Sequence, residues 1–454
     1  MTTTSIALDN VQSLVLRGYR VLEARPYQHY AYLRIDDVAG ARAWLAAMLP
    51  SVTSCAQFDA GGEAFVLAIA LTRQGLKKLG APDDATWPEP FTQGMAARAD
   101  RLGDDGPSAP TAWTDAIGKS DVDILVSIAG TSQAGVDAGI TKLEGAMGKA
   151  LVRLGRDDAA HLPNKPAGTE HFGYVDGIGQ PYVEGSGLEA WPGEGVPEKH
   201  GKWIGVKPGE FVLGYDLESG SNPRSVHAFQ KDGSYFALRK LAERVAAFRE
   251  YLSASAKLAG ISEELVAAKM VGRWRSGAPL VLAKKADDAS IAEDPNRNND
   301  FRYTDDPKGH ACPFGAHIRR ANPRDDPTGP TEVQVRSQRI IRRALPYGPW
   351  LPEGTTDDVD RGVMFGVISA DLENQFEYVQ RNWMNASLSS RSLSIEADKD
   401  PLVGSHDGTG KLLIPGTTKT AFCWDLPRFV ETRGGAYFFI PSLSSLEQLS
   451  KDPT

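Results

Sequence analysis

An α+β fold of two split-βαβ units, each an antiparallel sheet covered by helices in the ferredoxin-like manner, is expected from three features of the sequence. Up to Leu154 the apolar patterning runs strand, helix, strand, strand, helix, strand. A Gly/Pro-rich segment from about His161 to Pro208, containing AWPGEGVPEKHG, then interrupts it. Between Ser234 and Pro441 the same order recurs. No short-period repeat accompanies this, so the halves share a layout rather than a sequence. The boundary falls near residue 200, dividing the chain into 1–200 and 201–454.

Each element has a local reason. His29–Ile35 (HYAYLRI) is aromatic and aliphatic enough for a strand, and Asp36 or Asp37 can cap a helix through AGARAWLAAML. Ala64–Leu71 is the second strand, after which Thr72 caps a short helix ended by Gly80. A Pro-rich, acidic stretch to about Ser120 reads as loop with short helices. Val122–Ala129 alternates as a strand, Thr131 caps a helix to about Met147, and a short strand follows at Ala150–Leu154. In the second half Ser234–Arg239 is a strand. Leu241, Val245, Phe248 and Leu252 then recur at helical spacing, giving a helix from Leu241 to about Ser255. Strands near Val335–Arg342 and Gly362–Ile368, a helix from Asp371 to about Trp383 and the strand Ala436–Pro441 complete the order.

Composition narrows the function. With 41% hydrophobic and 24% charged residues over 454 positions, this is a folded globular chain rather than a disordered or fibrous one. The most apolar stretch, Ala64–Leu71, is strand-sized, far below the ~18 residues of a membrane span. The N-terminal stretch lacks the basic start, apolar run and cleavage site of a secretory signal, so a cytoplasmic location is expected. A net charge of −8 without a dense Lys/Arg block argues against a nucleic-acid surface and towards small molecules. Cys55, Cys312 and Cys423 form no CxxC pair and read as buried thiols. Walker-type, dinucleotide, HExxH and GxSxG motifs are absent.

Four segments could carry chemistry. His310, Cys312 and His317 allow a zinc site, though their spacing fits no common one. In EHFGYVDGIGQP (Glu170–Pro181) glycines bracket Asp176, either a tight turn or a carboxylate delivered into a cavity, where desolvation would raise its pKa. CPFGAHIRRANPR (Cys312–Arg324) sets one imidazole before two guanidiniums and an Asn-Pro break. RIIRRALPYGP (Arg339–Pro349) is an arginine-bearing strand. If Arg342 points inward it must meet an anion or polar ligand, because an unpaired buried charge is costly.

Taken together, these segments resemble the dye-decolorizing peroxidases, haem peroxidases of two ferredoxin-like domains in the dimeric α+β barrel superfamily. The family's GxxDG motif is matched by Gly173, Tyr174, Val175, Asp176 and Gly177, and its haem-ligand motif by CPFGAHIRRANPR around His317. Arg342, Tyr347 and Gly348 match an arginine followed by an aromatic and glycine, and RGGAYFFIPS (Arg433–Ser442) matches the end of the fold. The length resembles the larger subgroup of fungal and some bacterial members.

The resemblance implies one haem b (iron protoporphyrin IX) per chain, with His317 as proximal ligand and the C-terminal unit as the haem-binding domain. It implies an acid in EADKDPLVG, Asp400 or Glu396, holding the other ring nitrogen of His317. Opposite, Asp176 would move the proton of hydrogen peroxide and Arg342 would support the developing charge, giving a ferryl haem (compound I) that oxidises dyes, phenols and other one-electron donors. A carboxylate in that role favours an acid optimum. Tyr347 and Trp383 would relay electrons from bulky donors, Phe365 would wall the distal face, and Arg319 and Arg320 would meet a haem propionate or brace the loop. The partners implied are hydrogen peroxide and aromatic reductants, not nucleic acid. A haem-delivery protein without turnover would need neither Asp176 nor Arg342, and a zinc or hydrolytic enzyme on His310, Cys312 and His317 would show no Soret band.

Overall fold

The computed structural model describes residues 5–20, 25–114, 116–118, 121–197, 203–220, 226–390, 395–416 and 420–451. The first half begins with β1 (Tyr27–Ile35) and α1 (Val38–Met48), capped by Asp37, whose carboxylate accepts the Ala39 and Gly40 amides. β2 (Phe65–Leu71), β3 (Ile124–Gly130), α2 (Gln133–Met147) and β4 (Leu151–Ala160) follow. Ser132 rather than Thr131 caps α2, its hydroxyl accepting the Gly135 amide, because β3 runs on to Gly130 and Thr131 is taken up by the turn. β4 is longer than expected because it pairs with the whole of β1.

The second half repeats the order with β5 (Ser234–Glu243), α3 (Val245–Ala259), β6 (Ile341–Tyr347), β7 (Gly362–Ser369) and β8 (Val430–Ile440). Leu241 does not start a helix. β5 continues to Glu243, Leu241 pairing with Thr432 and Glu243 with Val430 of β8, and α3 begins only at Val245. Nor is Val335 in a strand: Thr331 and Gln334 form a capping box that turns Glu332–Ser337 into a helix, so β6 starts at Ile341. The helix expected from Asp371 is present and capped by Asp371, but its turns Leu372–Glu377 and Val379–Met384 are π-helical.

All eight strands form one sheet in the order β4-β1-β3-β2-β8-β5-β7-β6. Each half thus keeps the antiparallel first-strand-central arrangement of a ferredoxin-like unit, and the two join where Phe439 of β8 pairs with Leu71 of β2. The free ends β4 and β6 lie alongside each other, so the sheet curls towards a barrel. Alternation along β1 divides its side chains: Tyr30 and Tyr32 join an interior cluster with Phe236, Leu238 and Phe438, whereas Ala31, Leu33 and Ile35 pack outward beneath the helices. The expected boundary near residue 200 lies outside the described residues; the flanking strands end at Ala160 and begin at Ser234.

Candidate active site

Against the outer face of β5, β6 and β7 lies a cavity of about 310 Å³, within the size range of small-molecule and cofactor sites. Its other walls come from the loop at 168–180, the segment at 301–324 and the π-helical turns, and it brings together His317, Asp176, Arg342 and Phe365.

His317 opens the short helix α4 (His317–Ala321). Its Nδ1 lies 2.9 Å from Oδ2 of Asp400, which has no exposed surface. The other Asp400 oxygen accepts the Leu402 and Val403 amides at 2.9 Å, so the carboxylate cannot swing away. An ionised carboxylate only accepts, which places the proton on Nδ1 and leaves the Nε2 lone pair for a ligand. Burial opposes protonation of His317, but the charge and hydrogen bond of Asp400 outweigh it and raise the ring's basicity. Burial would likewise raise the Asp400 pKa, and the imidazole holds it below the usual carboxylate range instead. Asp400 therefore fills the acceptor position; the side chain of Glu396, the alternative, lies outside the described residues.

Across the cavity, Arg342 on β6 donates from Nη1 to Oδ1 of Asp176 at 2.5 Å. The Gly177 amide donates to the same oxygen at 2.6 Å, and among the described residues nothing donates to Oδ2. Asp176 was expected to be raised by desolvation. Burial does act that way, but the Arg342 guanidinium, the Gly177 amide and more distant His317 together hold it below the ordinary range. The side chains of His317, Asp176 and Arg342 are 27%, 42% and 22% exposed, and all three line the cavity.

Backbone geometry explains the glycines around Asp176. Gly173 has φ +94°, and a Cβ there would meet Nη1 of Arg275 at 2.5 Å. Gly177 has φ +89°, which turns the chain after Asp176 and aims its amide back at the carboxylate. Gln180 ties this loop to β6 by accepting the Arg342 amide (3.1 Å) and donating to the Arg342 carbonyl (3.1 Å). His171 donates from or accepts at Nδ1 nothing from the protein, while its Nε2 lies 2.8 Å from the Tyr347 carbonyl.

Three cavity-lining arginines were missed as site residues. Arg273, Arg324 and Arg339 are each buried, and none meets a carboxylate. Arg273 donates to the Gly277 and Asn298 carbonyls and Arg324 to those of Asn299 and Phe301, whereas Nη1 of Arg339 is buried with no partner among the described residues. Burial, then repulsion from Arg324 and Arg342, pushes Arg273 and Arg339 down to about 9. An anion entering the cavity would relieve the mutual repulsion of such a cluster. Arg324 was within reach of sequence reasoning, as the third arginine of the His317 segment. Arg339 opens the arginine-bearing segment Arg339–Pro349, where attention went to Arg342 instead; Arg273 stands in no pattern that marks it.

Arg319 and Arg320, expected either to meet a propionate or to brace the loop, do not line the cavity. Arg319 lies between Asp306 and Asp326, bonded to the latter at 2.6 Å and stacked on Tyr303 and Phe314. Arg320 donates to the carbonyls of Trp383, Ala386 and Asp398, so it braces the loop. Both turn inward because they occupy the buried side of α4, and the Asn-Pro break then frees Arg324 at φ +52° to reach the cavity. Tyr347 and Trp383 are buried behind the wall. Tyr347 hydrogen-bonds Asp360 at 3.1 Å, and Trp383 packs edge-on to Tyr378. Among the described residues no His, Cys, Asp and Glu group could hold a metal ion on its own, which removes the zinc reading of His310, Cys312 and His317. Cys55, Cys312 and Cys423 are buried and unpaired. No helix among the described residues is long and apolar enough to cross a membrane.

The family described as the DyP dimeric alpha+beta barrel domain matches residues 10–163, and the Dyp-type peroxidase C-terminal family matches residues 225–394. A dye-decolorizing peroxidase of Mycena epipterygia is 31% identical over 482 residues, covering 98% of this chain and 87% of that protein. A solved ancestral D-type dye-decolorizing peroxidase superposes with a TM-score of 0.85 at 30% identity, over 98% of this chain and 100% of the other. A second solved dye-decolorizing peroxidase, in complex with 2,6-dimethoxyphenol, gives a TM-score of 0.84 at 27% identity over 98% and 100%.

Proposed function

This chain belongs to the dye-decolorizing peroxidase family, and on that premise we propose that its cavity binds one haem b and uses it to reduce hydrogen peroxide while oxidising dyes, phenols and similar aromatic donors. The observation that carries the reading is the opposition, in one cavity, of the Asp400-held imidazole of His317 and the Asp176–Arg342 pair.

The residues fit haem b on the chemistry of their donors. His317 offers a neutral Nε2 lone pair to the iron, made more electron-donating by Asp400. Arg273, Arg324 and Arg339 line the cavity without forming an ion pair among the described residues, and would suit the two propionate groups. Phe365 and Val379 supply apolar wall for the ring. When bound, haem supplies the redox-active centre that takes up the oxidising equivalents of peroxide.

The protein's own part is proton handling. Asp176, held ionised by Arg342, accepts the proton of one peroxide oxygen at its free Oδ2 and delivers it to the other oxygen, which departs as water. Arg342 keeps Oδ1 occupied and supports negative charge on the departing oxygen. Electrons from donors too large for the cavity are assigned to Tyr347 and Trp383, which adjoin the wall residues Pro346 and Met384. Trp383→Phe is then expected to slow bulky dyes and spare small phenols; equal turnover of both would remove it from the relay.

The deciding measurement is the absorption spectrum of the haem-supplied protein before and after one equivalent of peroxide. A Soret band that changes rapidly and returns on adding a phenol is expected. A Soret band indifferent to peroxide would make this a haem carrier, and no band at all would end the haem reading.

A further inference from the structure

The loop carrying Asp176 is held by acids that the peroxide chemistry does not use. Glu170 accepts the Phe172 amide at 2.7 Å and the Tyr174 amide at 2.8 Å, folding the loop back on itself. Glu243, the last residue of β5, accepts the His171 amide at 3.2 Å and so fastens the loop to the sheet. The two carboxyls accept the amides of adjacent residues, His171 and Phe172, which sets them side by side, and both line the cavity. Glu243 has no cationic partner among the described residues. Arg275, the cation nearest Glu170, donates to the Phe172 carbonyl at 2.7 Å and to Glu264, so its charge is already committed.

Two ionised carboxylates in contact in such a place repel strongly, whereas one carboxyl and one carboxylate form a short, charge-assisted hydrogen bond. We propose that Glu170 and Glu243 share one proton, and that this proton latches the 168–177 loop so that Asp176 is aimed at the cavity. They are positioning residues acting through the loop. On the alkaline side the shared proton leaves to solvent, no electrons move, and the –COOH···⁻OOC– contact becomes two repelling carboxylates that release the loop. This rests on the role given above to Asp176.

The surroundings agree with the sign. Burial raises both carboxyls, followed for Glu243 by the charge of Glu170; the Phe172 and Tyr174 amides and then Arg275 oppose this at Glu170, the His171 amide opposes it at Glu243, and Asp176 raises both, so that burial wins at each. Glu170 is pushed up to about 7 and Glu243 well above the ordinary range. The remaining charged groups around the pair are Arg361, which bonds the Glu243 amide through its carbonyl, and the Arg244–Glu431 ion pair on the adjoining strand ends. Because the folded-state values are raised, the latch is complete at acid pH and lost as pH rises through and beyond 7.

The test is hydrogen–deuterium exchange of the peptide spanning 168–180 in the haem-loaded protein, between about pH 5 and 9 and corrected for intrinsic exchange, alongside turnover profiles. Wild type is expected to lose about tenfold or more of its protection on the alkaline side. Glu243→Gln, whose amide can donate to Glu170 at every pH, is expected to keep protection flat and move the alkaline limb of turnover up by about one pH unit or more. Glu170→Gln, which keeps one oxygen for two amides, and Glu243→Ala should both leave the loop less protected at every pH. Wild-type protection independent of pH, or an unchanged alkaline limb in Glu243→Gln, would overturn the latch. Full turnover by Asp176→Asn would instead remove the role of Asp176 while leaving the exchange result standing, so the two failures are distinct.

Discussion

The two halves of the sheet share a strand order but not a filling. In the first, Leu33, Ile35, Val126 and Ile128 meet Trp44, Leu45, Met48 and Leu143 from α1 and α2, all buried, and the space between sheet and helices is closed. In the second, the corresponding face sets Arg239, Glu243, Arg342 and Thr432 among Leu241, Val363, Phe365 and Val430, and α3 packs with Phe172 and Phe429 in a separate cluster. An apolar face collapses onto its helices, whereas a face of charged groups cannot do so without leaving charges unpaired. One topology therefore yields a scaffold where its outer face is aliphatic and a ligand site where that face is polar.

Substitutions separate the halves sharply. His317→Ala should remove the Soret band of haem-supplied protein and with it turnover, because no other described side chain is placed to replace the lone pair; a retained band with normal intensity would refute the ligand assignment. Asp176→Asn should keep the Soret band but slow the peroxide reaction by about 10²- to 10⁴-fold, the usual contribution of a positioned proton carrier. The pH profile sharpens this. A carboxylate whose pKa is depressed by Arg342 stays ionised into the acid range, so turnover should persist there and fall only as pH drops through that depressed value. Arg342→Leu should raise that acid limb towards an ordinary carboxylate, measurable in stopped-flow at successive pH values.

Arg339→Leu should weaken haem retention by roughly ten- to a hundredfold, the loss of one hydrogen bond to a charged group. The same change should raise the melting temperature of haem-free protein, since it removes a buried guanidinium that forms no ion pair among the described residues and leaves Nη1 unsatisfied there. A fall in both would make Arg339 structural. On the filled side, Leu45→Ala should cost about 2–5 kcal/mol of stability and leave turnover per bound haem unchanged. Lost haem affinity in that variant would show that the halves are coupled through the sheet.

Much of this was readable locally. Strand positions and the duplicated order follow from alternation and caps, and Asp37 and Thr72 stand where those rules put them. GxxDG and the His317 segment are contiguous, so their chemistry is written in a few neighbouring residues. Two misreadings were themselves local, the Thr331–Gln334 capping box and the Ser132 cap; the others sit where distant partners intervene. β5 overran the helical spacing at Leu241 because β8 offered it hydrogen bonds, and Arg319 was drawn inward by Asp306 and Asp326 while Arg324 took the cavity.

What residue order alone establishes is the alternation that makes two like sheets and the presence of an imidazole, a carboxylate and a guanidinium in recognisable settings. Which acid grips His317, which arginines line the cavity and whether Asp176 titrates high or low are settled by the folded chain. Asp400 stands 83 residues from its imidazole and Arg342 stands 166 from its carboxylate. A pKa is fixed by whatever charge lies within a few ångströms, and no local pattern encodes neighbours that only the closing of the sheet brings together.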